Sequence, residues 1–285
     1  MSLLLDPFAY GFFGRALVAA VVSGGLLGAL GCYVVVRRMS YIAHGLSHAV
    51  IGGAAVAGAL GMNLLLGAGV WAFASAILIE RVARRRGLYA DTAIGIVTTA
   101  SFALGIAVIT AAGRWERNLD SFLFGSMLGV DGVDLVLAGV VAVVVAVVVV
   151  TRYRPLLFVV FDREVAVVHG VRTARYEAVF ALLLTAGVVA SMRVLGVLLV
   201  AAAVVIPPAA ARVLTARFER MLPLAAVIGS VSAAVGLYLS WYLDIASGPA
   251  IVLMQVLILA VASAVTSERA GRLRLRTATG TTTGL

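Results

Sequence analysis

The chain has 285 residues, of which 63% are hydrophobic and only 12% charged, against about 45–50% and about 25% in an ordinary soluble domain. That balance excludes a soluble globular enzyme. The 22 basic and 13 acidic residues leave a net charge of +9, but they crowd into short segments between long apolar runs, which is a membrane-topology pattern and excludes a nucleic-acid surface.

Every basic residue is Arg. Without Lys the chain can encode no Walker A loop, no Schiff base and no Lys general base. The single cysteine, Cys32, lies in an apolar run, so it forms no intrachain disulfide and reads as a small buried residue.

A membrane-spanning helix needs roughly 20 predominantly apolar residues to cross about 30 Å of hydrocarbon. Nine runs qualify, at approximately 12–36, 42–61, 63–80, 92–112, 132–151, 175–192, 194–212, 222–242 and 249–266. The expected fold is therefore all-α and polytopic, with a permease domain over 1–266. A short hairpin is expected around 191–193; read as a kink instead, it leaves eight spans. The patch 121–130 is expected to be interfacial or re-entrant, and the Arg- and Thr-rich segment 267–285 to be a disordered tail. The first run follows Asp6-Pro7 with no basic region before it, so it reads as a retained span.

Eighteen of the Arg residues fall in alternate loops and the C-terminal segment, leaving Arg15, Arg114, Arg117 and Arg193 for the other side. Because Arg-rich loops stay cytoplasmic, this split predicts nine spans with the N-terminus outside and the C-terminus inside. Glycines concentrate within the spans. Gly24, Gly25, Gly28 and Gly31, and Gly45, Gly52 and Gly53, recur at helical spacing and predict close helix packing.

Ionisable groups inside spans are costly and mark function by default. His44 and His48 stand at i and i+4, which puts two imidazoles on one helix face, either sharing a divalent transition metal or forming an interhelical hydrogen bond. Ser40 and Ser47 flank them. Two ligands do not complete a site, so a second copy, water or another span has to supply the rest.

In the charged stretch 152–175, Asp162 can cap a short helix ended by Gly170, with Phe161, Val165 and Val168 as its apolar face. Such a helix suits docking on a soluble partner or lying in the interface, and His169 beside it reads as solvated. Pro207 and Pro208 remove two backbone donors inside a span and predict a helix break, either lining a pathway or kinking the helix near its end. Tyr238, Trp241 and Tyr242 form an interfacial belt beside the turn at Asp244.

Eight stretches in order match a known family: residues 37–50 (RRMSYIAHGLSHAV), 91–96 (DTAIGI) with 102–105 (FALG), 123–126 (LFGS), 193–200 (RVLGVLLV) through 206–212 (IPPAAAR), and 236–240 (GLYLS) through 247–252 (SGPAIV). In them the chain resembles the ABC-3 family, the permeases of bacterial ABC importers for zinc, manganese and iron. The resemblance implies a type II importer-like permease in the bacterial plasma membrane, working as a homodimer with a cytoplasmic ATP-binding subunit and an extracytoplasmic metal-binding lipoprotein. It implies no permanently bound cofactor, ATP being hydrolysed on the separate subunit. The segment 161–170 looks like the family's coupling helix, with Asp162, Glu164 and Gly170 as its matching positions.

The family often has Asp followed four residues later by His as metal-contacting groups, and this chain has His44 at the first position. A nitrogen-rich pair suits zinc before manganese or iron. An ion-coupled secondary transporter would need inverted repeats and midplane ionisable groups, which are not seen. An intramembrane enzyme would need a nucleophile and base or a complete metal triad.

Overall fold

A computed structural model describes residues 6–37, 39–83, 90–112, 123–161 and 163–280. Among these residues, eleven α-helices occur in chain order: α1 Gly11–Val36, α2 Ser40–Ala59, α3 Leu64–Ala83, α4 Ala90–Ala112, α5 Gly132–Thr151, α6 Tyr153–Phe161, α7 Arg163–Val168, α8 Thr173–Leu195, α9 Val197–Leu214, α10 Phe218–Leu243 and α11 Ser247–Gly280. Nine of them are long and apolar enough to cross a membrane. Among the described residues there is no strand. The segment expected to be a tail from 267 is helical as far as Gly280.

Helix α1 is the hub, packed against α5, α8, α9 and α10, while α2, α3 and α4 form a second group joined to it through α8 and α9. Glycine makes the closest contacts. A Cβ on Gly24 would fall on the Gly229 carbonyl oxygen of α10 and one on Gly229 would fall on that of Gly24, while one on Gly28 would meet the Ala225 carbonyl. Backbones approach this closely only where no side chain intervenes, and in lipid such packing replaces the hydrophobic force between helices. The Ser230 hydroxyl adds a hydrogen bond to the Val21 carbonyl oxygen at 2.9 Å.

Pro207 and Pro208 do not break their helix: α9 runs through both, and both are buried. A proline at 208 cannot donate to the carbonyl four residues earlier, so Val204 loses its helical donor. That carbonyl oxygen instead lies where a Cβ on Gly31 would stand. The freed acceptor thus packs on the bare Cα of a neighbouring helix, a contact of the weak Cα–H···O kind, and the helix keeps its course.

The break comes earlier, at Gly196. Helix α8 passes through 191–193 to Leu195, and Gly196, with φ 77°, separates it from α9. Gly125, with φ 79°, faces it, and a Cβ on either would strike the other's loop. The Ser126 amide donates to the Arg193 carbonyl at 3.1 Å, the Ser247 hydroxyl donates to that of Val194 at 2.7 Å, and Gly248 lies against the carbonyls of Leu195 and Phe124. The patch 121–130, in its described part, is thus a short strap, helical at 123–124 and a 3-10 turn at Met127–Gly129, tied to the α8–α9 corner.

At the same end of the bundle, Phe13 of α1 lies edge-on to Tyr238 and Trp241, with ring centroids 5.1 and 5.6 Å apart. Asp131 and Asp134 close a reciprocal cap at the start of α5, each carboxylate accepting from the other's amide at 2.9 and 3.1 Å.

Candidate functional site

His44 and His48 project from the second and third turns of α2, where the i and i+4 spacing stacks them on one face. Their Nε2 atoms are 3.1 Å apart and their rings meet edge to face at 4.6 Å. His44 is exposed and His48 half-buried, with Phe102 of α4 edge-on to the His48 ring at 5.4 Å. The Nδ1 of His48 is buried without a hydrogen-bond partner. Ser47 turns away, its hydroxyl donating to the Ala43 carbonyl at 3.0 Å.

The two imidazoles border a cleft of about 390 Å³ between α2 and α4, walled by Asp91, Thr98, Thr99 and Phe102. Its narrow floor comes from small residues: a Cβ on Gly45 would meet Ile94 and Thr98, and one on Gly52 would meet the Ser101 carbonyl. A tetrahedral zinc with Zn–N of about 2.0–2.1 Å holds two nitrogens about 3.3–3.4 Å apart, so both Nε2 atoms are within reach of one ion. Asp91 adds a carboxylate to the same cleft. The motif at 91–96 contained this residue, but periodicity within one helix could not show that α4 brings it to the cleft the histidines border.

The remaining site residues lie elsewhere. Pro207 and Pro208 belong to α9, both buried, with Pro208 packed on Gly31 of α1, and neither lines the cleft. Asp162 and the side chain of Glu164 are outside the described residues. Gly170, with φ 72°, closes α7 in a left-handed turn, its amide donating to the Val167 carbonyl and that of Val171 to Ala166. The apolar face expected here turns outward: Phe161 is 57% and Val168 84% exposed, whereas Ala166 is buried. Ala166 is the side of α7 that packs inward. The His169 ring stacks on Phe158 at 5.6 Å, and its Nδ1 lies 2.8 Å from the Val165 carbonyl oxygen.

Two ion pairs between helices, among the described residues, were not visible in the sequence. Arg37 meets Glu177 at 3.1 Å, and Arg193 lies 3.7 Å from Asp134. Each joins residues more than fifty positions apart, so no local pattern marks them. The only available signal was an acidic residue at the edge of an apolar run.

The profile of the ABC 3 transport family matches residues 9–266. The manganese transport system membrane protein MntC of Listeria innocua is 36% identical over 262 residues, covering 92% of this chain and 93% of its own. The chelated iron transport system membrane protein YfeC of Yersinia pestis is 34% identical over 258 residues, covering 90% and 87%. Among solved structures, PsaBC from Streptococcus pneumoniae in complex with Fab superposes with a TM-score of 0.81 at 29% identity, over 92% of this chain and 94% of that one. Matched over nearly its whole length, and with nine apolar helices long enough to cross a membrane among its described residues, the chain belongs to the ABC 3 transport family, the family of metal-importer permeases that its motifs resemble.

Proposed function

We propose that this chain is the membrane permease of an ATP-driven importer for a divalent transition metal, with manganese or iron(II) as substrate before zinc. The observation that carries the reading is the cleft that joins His44, His48 and Asp91. Among the described residues no three His, Cys, Asp or Glu side chains stand together as one metal site, but a carboxylate in the same cleft offers the passing ion a harder oxygen donor than the histidine pair alone, which moves preference toward manganese and iron. Relatives named for manganese and iron transport support the same order. Zinc stays as the second reading because the closely facing imidazoles suit it.

The cleft also supports a homodimer. His44 and Asp91 are exposed on the surface of membrane-spanning helices, where contact with hydrocarbon is costly. A second copy facing the first across a shared passage replaces lipid with protein and water and doubles the donor set. Metal on Nε2 of His48 forces the proton onto Nδ1, and that atom is buried without an acceptor. A ligand lacking such support binds more weakly, as conduction requires if the ion is to leave.

A cytoplasmic ATPase docks, in this reading, on the exposed apolar surface of Phe161, Val165 and Val168, with Asp162, Glu164 and Gly170 in the coupling segment, and an extracytoplasmic lipoprotein delivers the metal. The N-terminus is outside and the C-terminus cytoplasmic. ATP-driven closure of the ATPases moves the coupling segment and alternates access to the cleft. The chain itself hydrolyses nothing.

The test is uptake of labelled manganese, iron(II) and zinc into proteoliposomes holding the permease with its ATPase and binding protein. His44→Ala and His48→Ala are expected to cut uptake at least about tenfold, the lower range for weakening a metal site, with the complex still assembled. Asp91→Asn is expected to raise the zinc-to-manganese uptake ratio. Unchanged uptake in the histidine variants refutes the site, and an unchanged metal ratio in Asp91→Asn refutes the carboxylate's role.

A further inference from the structure

Arg37 and Glu177 form the tighter of the two ion pairs described between helices. The Arg37 guanidinium donates to the Glu177 carboxylate at 3.1 Å, with the two side chains 16% and 9% exposed. A buried pair of this kind adds little net stability, because desolvation offsets the attraction. What such a pair does fix is position, and here it joins two parts of the fold that have other work.

Arg37 ends α1 and belongs to the corner that leads into α2. Backbone hydrogen bonds tie the described residues of that corner: the Arg37 amide donates to the Tyr33 carbonyl, that of Met39 to Val34 and that of Ile42 to Met39, at 3.0 to 3.1 Å. His44 stands within the next turns of α2. Glu177 lies in the second turn of α8, the helix that begins directly after 161–172 and against which α7 packs. Displacement of the coupling segment therefore reaches Glu177 through one helix turn, crosses the ion pair, and enters α2 below the histidines.

We propose that Arg37 and Glu177 are positioning residues that transmit movement of residues 161–172 to the His44–His48 pair. The inference deepens the permease reading and rests on it. Neither residue lines the cleft, so their effect falls on coupling rather than on metal contact.

Two measurements test it. In proteoliposomes with the ATPase and binding protein, metal transported per ATP hydrolysed is compared among wild type, Arg37→Gln, Glu177→Gln and the exchanged pair Arg37→Glu/Glu177→Arg. The single variants are expected to keep ATP hydrolysis but lose at least about fivefold in metal per ATP, the lower end of common allosteric coupling, and the exchanged pair to recover most of it. An unchanged ratio in assembled single variants, or no recovery in an assembled exchanged pair, overturns the proposal.

The second measurement is hydrogen exchange of the full-length permease alone. Loss of the pair is expected to speed exchange at amides 40–48 selectively, and the exchanged pair to restore the wild-type rates there. Faster exchange spread evenly over α1 and α8 marks a merely structural pair and overturns the proposal. If the wild-type complex moves no metal, the permease reading fails, and selective exchange at 40–48 still decides whether the ion pair positions α2.

Discussion

Replacing Gly31 by Ala tests whether close backbone contact, and not composition, holds the bundle together. A Cβ at Gly31 would lie 2.8 Å from Pro208 Cγ and 2.9 Å from the Val204 carbonyl carbon, on the line where that carbonyl oxygen already sits, whereas ordinary contact begins at 3.4 Å. Helices α1 and α9 would have to part by more than half an ångström, and the obstacle is backbone, which cannot rotate aside. Overpacking of this kind costs about 1–3 kcal/mol, with a rigid neighbour toward the upper end, and the better helix propensity of Ala returns about 1 kcal/mol. The net loss is about 2 kcal/mol.

Gly139 on α5 provides the contrast, because nothing lies within 4 Å of its Cβ position. There only the propensity gain of up to about 1 kcal/mol acts. At about 2–4 °C per kcal/mol for a chain of this size, Gly31→Ala is expected to lower the melting midpoint of the detergent-solubilised permease by about 4–8 °C. Gly139→Ala is expected to raise it slightly. Both are read by fluorescence-detected size exclusion after a heat ramp. A shift of the same sign in the two variants refutes the reasoning.

Two further outcomes concern other parts of the fold. Gly196→Ala adds a side chain at φ 77° and ψ 144°, a region essentially reserved for glycine that costs about 1–3 kcal/mol by itself, and drives it into the backbone of 123–125; the variant is expected to give little monodisperse protein, and a normal yield and midpoint would contradict the strap. The Asp134 amide holds the Asp131 carboxyl below its ordinary range, so the cap stabilises the fold fully above that range and loses its contribution as pH falls through the lowered folded value. Asp131→Ala is expected to cost about 0.5–2 kcal/mol near neutral pH, with the difference from wild type fading in acid. A difference independent of pH in thermal melts would rule out the carboxylate as the cap.

The nine apolar helices were legible in the sequence because spanning a membrane is a local requirement: each run must itself be long and apolar enough to satisfy its own backbone in lipid. The same locality made the histidine pair visible, since i and i+4 fix a shared face whatever surrounds the helix. Features confined to one helix could be read; contacts between helices could not. A proline pair looks like a break until the freed Val204 carbonyl is seen packed against the Gly31 Cα. The glycines of three separate motifs, Gly125, Gly196 and Gly248, have one purpose only when the strap, the α8–α9 corner and the start of α11 meet. Asp91 is an ordinary helix-start acid in one dimension and a wall of the histidine cleft in three. Glu177 finds Arg37 across 140 positions. Hydropathy records the solvent each residue must face, whereas the partner it meets depends on which small residues let two backbones close, and that is decided only when all the helices pack at once.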